Sequence, residues 1–149
     1  MDKKVKKTIA ICASVSFYKE IPEVAKELRQ KGFRVLLPDS LRIMQRTGNF
    51  DPDYHKTWFT NPEDYKIKRR LINNHFKKIA TGDAILVINN EKKGIKGYIG
   101  GNVLMEITIA YYLKKQIYLW NQIEKGNPFE EEILALNAKA INKKLELIQ

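Results

Sequence analysis

The chain has one cysteine, Cys12, in 149 residues. A single thiol excludes an internal disulfide and any cysteine-rich zinc site. Its place in the first apolar run predicts an inert buried side chain. The two histidines, His55 and His75, have no metal-ligand spacing, and nothing in their positions pairs either with Cys12 as a catalytic dyad. No apolar run reaches the roughly 18–20 residues that cross a membrane. The first residues, "MDKKVKK", are basic, but the apolar run behind them is too short for a signal-peptide core. A cytoplasmic protein without membrane contact is therefore expected. The first strand–helix loop, "CASVSFYKE", lacks G-x-G-x-x-G and G-x-x-x-x-G-K-[ST], so neither a dinucleotide fingerprint nor a P-loop is present. Seven tyrosines and two tryptophans form no RNA-reading signature.

Positive charge is abundant. Lysine and arginine number 27 against 17 acids, a formal net charge of +10. Such a balance suits an anionic partner, but the lysines are spread over the whole chain, a pattern that speaks for solubility over nucleic-acid binding.

The apolar pattern alternates between strand and helix. "TIAICASV" reads as a buried strand, "YKEIPEVAKELRQKG" as a helix with Ile21, Val24, Ala25 and Leu28 on one face, and "FRVLLP" as a second strand. From Asp39 to Asn61 the pattern dissolves into glycine, proline, asparagine and aromatics, with room for a short helix at Asp39–Gln45. A loop of this length is often a lid or a binding segment. "NPEDYKIKRRLINNHFKKIATG" reads as a helix with Asn61 as N-cap and Pro62 in its first turn. Its stripe runs Ile67, Leu71, His75, Ile79. "DAILVINN" is a third strand, Asn102 begins a helix reaching about Lys114, and "QIYLWN" is a fourth strand. A helix over "NPFEEEILALNAKAI" and a short strand at "LELIQ" complete the pattern. The expectation is a three-layer α/β fold, flavodoxin- or Rossmann-like, with a parallel sheet of about five strands in one domain.

In such sheets ligands bind beyond the C-terminal strand ends. That filter selects Ser14, Ser16 and Phe17; Asp39 and Ser40; Asn89, Asn90 and the stretch Gly97–Glu106; and Asn121 and Gln122. Glu106 is the one carboxylate in the nearly unbroken apolar run "NVLMEITIAYYL". With Asn102 as N-cap it lies one turn into the helix, where the dipole favours the ionised form. An ionised carboxylate at a crevice can attack a carbon centre, as in glycosyl transfer with retention. It can also simply decorate the first turn and face solvent.

The succession of apolar strand, serine loop, "GDAILVINN", glycine-rich loop and "GNVLMEITIAYYLKKQIYLW" resembles the nucleoside 2-deoxyribosyltransferase superfamily, which includes the 2'-deoxynucleoside 5'-monophosphate N-glycosidases. The likeness spans most of the chain and is clearest over Asp83–Asn121. It implies that Glu106 is the nucleophile attacking C1' of the sugar, and that Ser14, Ser16 and Phe17 line the pocket. It further implies that Asn102 and the Gly100 and Gly101 amides hold hydroxyls or phosphate and that Asp83 buttresses the site; Asn90, selected by the strand-end filter, is a further substrate-binding candidate. No metal or redox cofactor is implied; the ligand is a nucleoside or nucleotide, and the chain is a homo-oligomer. The sequence departs from the family pattern at Thr108, where the family has glycine, at Gly100, often Asp or Ser, and at His75, which replaces an acidic residue. His75 thus becomes the candidate for proton transfer. The alternative function is a nucleotide-binding or sensing module without turnover.

Overall fold

The computed structural model describes residues 6–149. Most of the basic N-terminal run lies outside them. Five strands, β1 (Thr8–Ala13), β2 (Arg34–Leu36), β3 (Ala84–Ile88), β4 (Gln116–Leu119) and β5 (Lys139–Ala140), form one all-parallel sheet in the order β2-β1-β3-β4-β5. β1 and β3 are central and buried on both faces, which is why they read as continuous apolar runs rather than alternating ones.

The two faces carry separate cores. Ile9, Ile11, Leu86 and Ile88 point to one side, where they meet Ile21, Val24, Ala25 and Leu28 of α1 (Ile21–Gln30). Ala10, Cys12, Ile85 and Val87 point to the other, against α4 (Tyr65–Thr81), α5 (Gly101–Tyr112) and α6 (Glu130–Ala135). Ile79 of α4 and Ile107 of α5 are fully buried there, each worth about 1.5–3 kcal/mol of transfer free energy. The three-layer architecture is the expected one.

The differences from the sequence reading are local. Segment Asp39–Asn61 is not a structureless loop: it holds α2 (Asp39–Thr47), a single helical turn α3 (Pro52–His55) and a 3-10 turn at Thr57–Phe59. α2 is the short helix for which the sequence left room at Asp39–Gln45, running on to Thr47 before Gly48 ends it, whereas the turns after Gly48 left no periodic trace. α1 begins at Ile21, after a 3-10 turn over Val15–Glu20. Asn61 caps a 3-10 turn at Pro62–Asp64, and α4 starts only at Tyr65. The fifth strand is Lys139–Ala140, inside the segment read as helix, whereas Leu145–Leu147 is a 3-10 turn.

Candidate functional site

The strand order places its reversal between β1 and β3. From β1 the chain crosses outward to β2, and from β3 it crosses the other way to β4, so a crevice opens beyond their C-terminal ends. A cavity of about 720 Å³ occupies it. Its floor is the end of β1, with Ala13 and Ser14; its walls are α4 and the start of α5. α2, α3 and the turn carrying Trp58 line its remaining side, so the irregular segment contributes to the crevice. Asp39, at the first turn of α2, accepts from Asn74 and is paired with Lys78 of α4, tying that side to the wall. Lys78 also donates to the Leu37 carbonyl at 2.6 Å. That pairing, chiefly with Lys78, holds the Asp39 carboxyl below its usual range.

Glu106 sits at the cavity wall, yet only 6% of it is exposed. Its Oε1 accepts from Asn102 Nδ2 at 3.1 Å, while Oε2 has no hydrogen-bond partner. Burial raises its carboxyl to about 7, with the Cys12 thiol and the Lys68 ammonium pulling the other way. This corrects the expectation of a carboxylate ionised by the helix dipole. α5 starts at Gly101 with Gly100 as N-cap, so Glu106 lies deeper than the first turn, and desolvation outweighs the dipole.

His75 and Cys12 complete a buried cluster, and their meeting overturns the reading that no dyad or ligand geometry exists. His75 is 5% exposed and its Nε2 lies 3.5 Å from Cys12 Sγ. One ligand-type atom from each of Cys12, His75 and Glu106 lies within 4.8 Å of the others. Burial lowers the imidazole to about 4, with the Lys78 charge adding to the effect and the Ile11 backbone and Asp39 opposing it. Burial likewise pushes the Cys12 thiol well up, and the Glu106 charge adds to it. At neutral pH the cluster is therefore a thiol, a neutral imidazole and a carboxyl near half ionisation.

Of the other predicted residues, Ser14, Gly100, Gly101 and Asn102 line the cavity. Four do not. Phe17 is packed into the core on the α1 face, and Ser16 is exposed outside the cavity. Both belong to the 3-10 turn Val15–Glu20, of which Val15 and Tyr18 line the cavity instead. Asp83 lies at the opposite, N-terminal end of the central strands, where its Oδ2 accepts from the Thr8 amide at 2.8 Å; it precedes β3, and the crevice follows it. Asn90 is outside the lining, its Oδ1 accepting from Asn121 Nδ2 at 3.1 Å while its buried Nδ2 has no partner. Asn121 is also bound to the Asn89 side chain and backbone, so these asparagines lock two strand ends together.

Sequence reasoning missed Cys12 and the cavity lysines Lys68 and Lys92, while Tyr98 and Trp58 fall in the Gly97–Glu106 and Asp39–Asn61 segments it selected. The signal for Cys12 and His75 was present: one sits next to the last residue of a central strand, the other on an apolar helical stripe, and both therefore point inward. The lysines had no such signal. Lys68 lies over the Trp58 ring at 5.6 Å and Lys92 over Tyr98 at 5.2 Å. Burial and the neighbouring Lys56 charge lower both ammonium groups. No protein-family model matches the chain, and no curated protein matches it either.

Proposed function

We propose that the crevice binds a nucleoside or nucleotide and that Glu106 attacks C1' to cleave or transfer the N-glycosidic bond. The observation that carries this reading is the unpartnered Oε2 of a buried carboxyl at the wall of a ligand-sized cavity. In the step, Oε2 forms a bond to C1', the C1'–N bond breaks, and its electron pair leaves with the base through an oxocarbenium-like transition state. Water or a second base then opens the glycosyl ester. Asn102 orients the carboxylate through Oε1. Neutral His75 is suited to accept a proton from the incoming water rather than to protonate the departing base. Trp58 and Tyr98 offer ring faces to the base, and Lys56, Lys68 and Lys92 offer positive charge to a phosphate.

The test is incubation with deoxynucleosides and their monophosphates, followed by chromatography for free base. Release is expected from wild type and a loss of at least about 100-fold from Glu106→Ala. Equal release from both proteins would remove Glu106 as nucleophile.

A second reading, nucleotide binding without turnover, is favoured by the half-protonated state of Glu106 and by the other cavity carboxylate, Asp39, being held by Lys78. Thermal stabilisation by nucleotides with no base released across the panel would select it. Absence of any stabilisation would count against both readings.

A further inference from the structure

We propose that Cys12, His75 and Glu106 form a binding site for a divalent, thiophilic transition-metal ion of the zinc class, with one coordination position open to the cavity. The three side chains come from three different elements, β1, α4 and α5, and converge beneath the cavity with their ligand atoms within 4.8 Å of one another. The Sγ–Nε2 separation is 3.5 Å. Zinc–sulfur and zinc–nitrogen bonds of about 2.3 and 2.0 Å at a tetrahedral angle place those two atoms about 3.5 Å apart. That edge already has the length of a coordinated pair, and the Glu106 oxygen lies within 4.8 Å of both other ligand atoms.

Two observations separate this cluster from a chance meeting of polar groups. Glu106 is buried and its Oε2 has no hydrogen-bond partner; a buried polar atom without a partner is rare because it carries its full desolvation cost. Metal binding would displace the protons of the thiol and the carboxyl, and the resulting thiolate and carboxylate neutralise a dication where burial penalises any net charge. The Asn102 contact to Oε1 is the outer hydrogen bond that orients a ligating carboxylate. A sulfur–imidazole pair with one carboxylate selects zinc or cobalt over magnesium or calcium, which prefer oxygen ligands alone.

His75 and Glu106 line the cavity, whereas Cys12 lies beneath it, fully buried. The ion would thus enter through the cavity and keep one position facing it. Glu106 cannot coordinate the ion and attack C1' with the same oxygen, so metal loading and glycosyl transfer exclude each other. The metal site does not rest on the glycosidic reading.

The test is titration of the full chain, first stripped with a chelator, with Co²⁺ as probe. Thiolate-to-cobalt charge-transfer absorption in the near ultraviolet is expected, with visible bands of a four-coordinate ion, saturating at one ion per chain and displaced by Zn²⁺. Cys12→Ser should lose the charge-transfer band, and His75→Gln and Glu106→Gln should each weaken binding at least about tenfold. A Zn²⁺-dependent rise in the melting temperature of wild type supplies a readout that needs no variant to fold. No charge-transfer band at saturating Co²⁺ would overturn the proposal. So would a band whose affinity is unchanged in both His75→Gln and Glu106→Gln, since the thiol would then be binding alone. These readouts involve no substrate: base release without a cobalt spectrum refutes the metal site only, and a cobalt spectrum without base release leaves it standing.

Discussion

In water, a glutamic acid and a histidine share protons in a set way between their ordinary values of 4.5 and 6.5: the carboxyl is ionised and the imidazole carries the charge. Burial in this fold reverses the assignment. With Glu106 at about 7 and His75 at about 4, the metal-free folded protein holds the proton on the carboxyl. Each displacement corresponds to roughly 3 kcal/mol at full effect. The Glu106 contribution is complete below 4.5 and is lost as pH rises through about 7; the His75 contribution is complete above 6.5 and is lost as pH falls through about 4. Between 4.5 and 6.5 the two slopes oppose each other and nearly cancel. Single variants expose them. His75→Gln should lose stability as pH rises from 5 to 7, and Glu106→Gln should gain it over the same range, both read by denaturant unfolding. Parallel slopes in the two variants would sink this account. The same carboxyl sets the rate expectation: kcat/KM for base release should climb as pH rises through about 7, because only the ionised form is a nucleophile.

At the scale of elements, the site depends on how the loop after β3 is held while it delivers Tyr98 and Gly100 to the cavity. Gly97 is its fixed point. It has φ +67°, and an added Cβ would run into the Gln122 carbonyl oxygen, a backbone atom that cannot swing aside. Its own carbonyl accepts from Asn127 Nδ2 at 3.1 Å. Gly97→Ala should therefore cost about 2 kcal/mol or more and weaken ligand binding as well. A change in melting temperature no larger than that of Gly94→Ala, where φ is also positive but nothing lies near, would refute the crowding argument. The central strands and long helices were legible because each buries a continuous run or one stripe: β1, β3 and α4 are examples. β5 was not, since two residues of pairing leave no periodic trace. Asp83 was misplaced for a different reason: its role came from the family resemblance alone, whereas its position before β3 already put it at the end of the strands away from the crevice. Ser16 and Phe17 were misplaced because a 3-10 turn, invisible in the apolar pattern, presents Val15 and Tyr18 to the cavity and turns Phe17 into the core.

For the molecule as a whole, a net charge of +10 gives a weak general attraction for anions. The cavity adds a local attraction that the dispersed pattern in the sequence concealed. Among the described residues Lys78 and Asp39 form the one ion pair, and the other lysines at the cavity, Lys56, Lys68 and Lys92, face it without a carboxylate bridge. The partial desolvation of Lys68 shields its charge from salt less than an open surface would, but the exposed rim remains subject to screening over a Debye length of about 8–10 Å. A nucleoside monophosphate should therefore bind more tightly than the corresponding nucleoside, and the margin between them should shrink as salt rises from 50 to about 500 mM. The nucleoside, without a phosphate to meet the lysines, should change little over that range. Lys68→Met keeps the apolar stem over Trp58 and removes the charge, so it should narrow the monophosphate margin at low salt while leaving nucleoside affinity near wild type. Calorimetric titration of the two ligands against both proteins reads all four quantities. An equal loss of both ligands in Lys68→Met would mean that the side chain shapes the cavity rather than its charge holding a phosphate, and a margin indifferent to salt would place the phosphate away from these lysines.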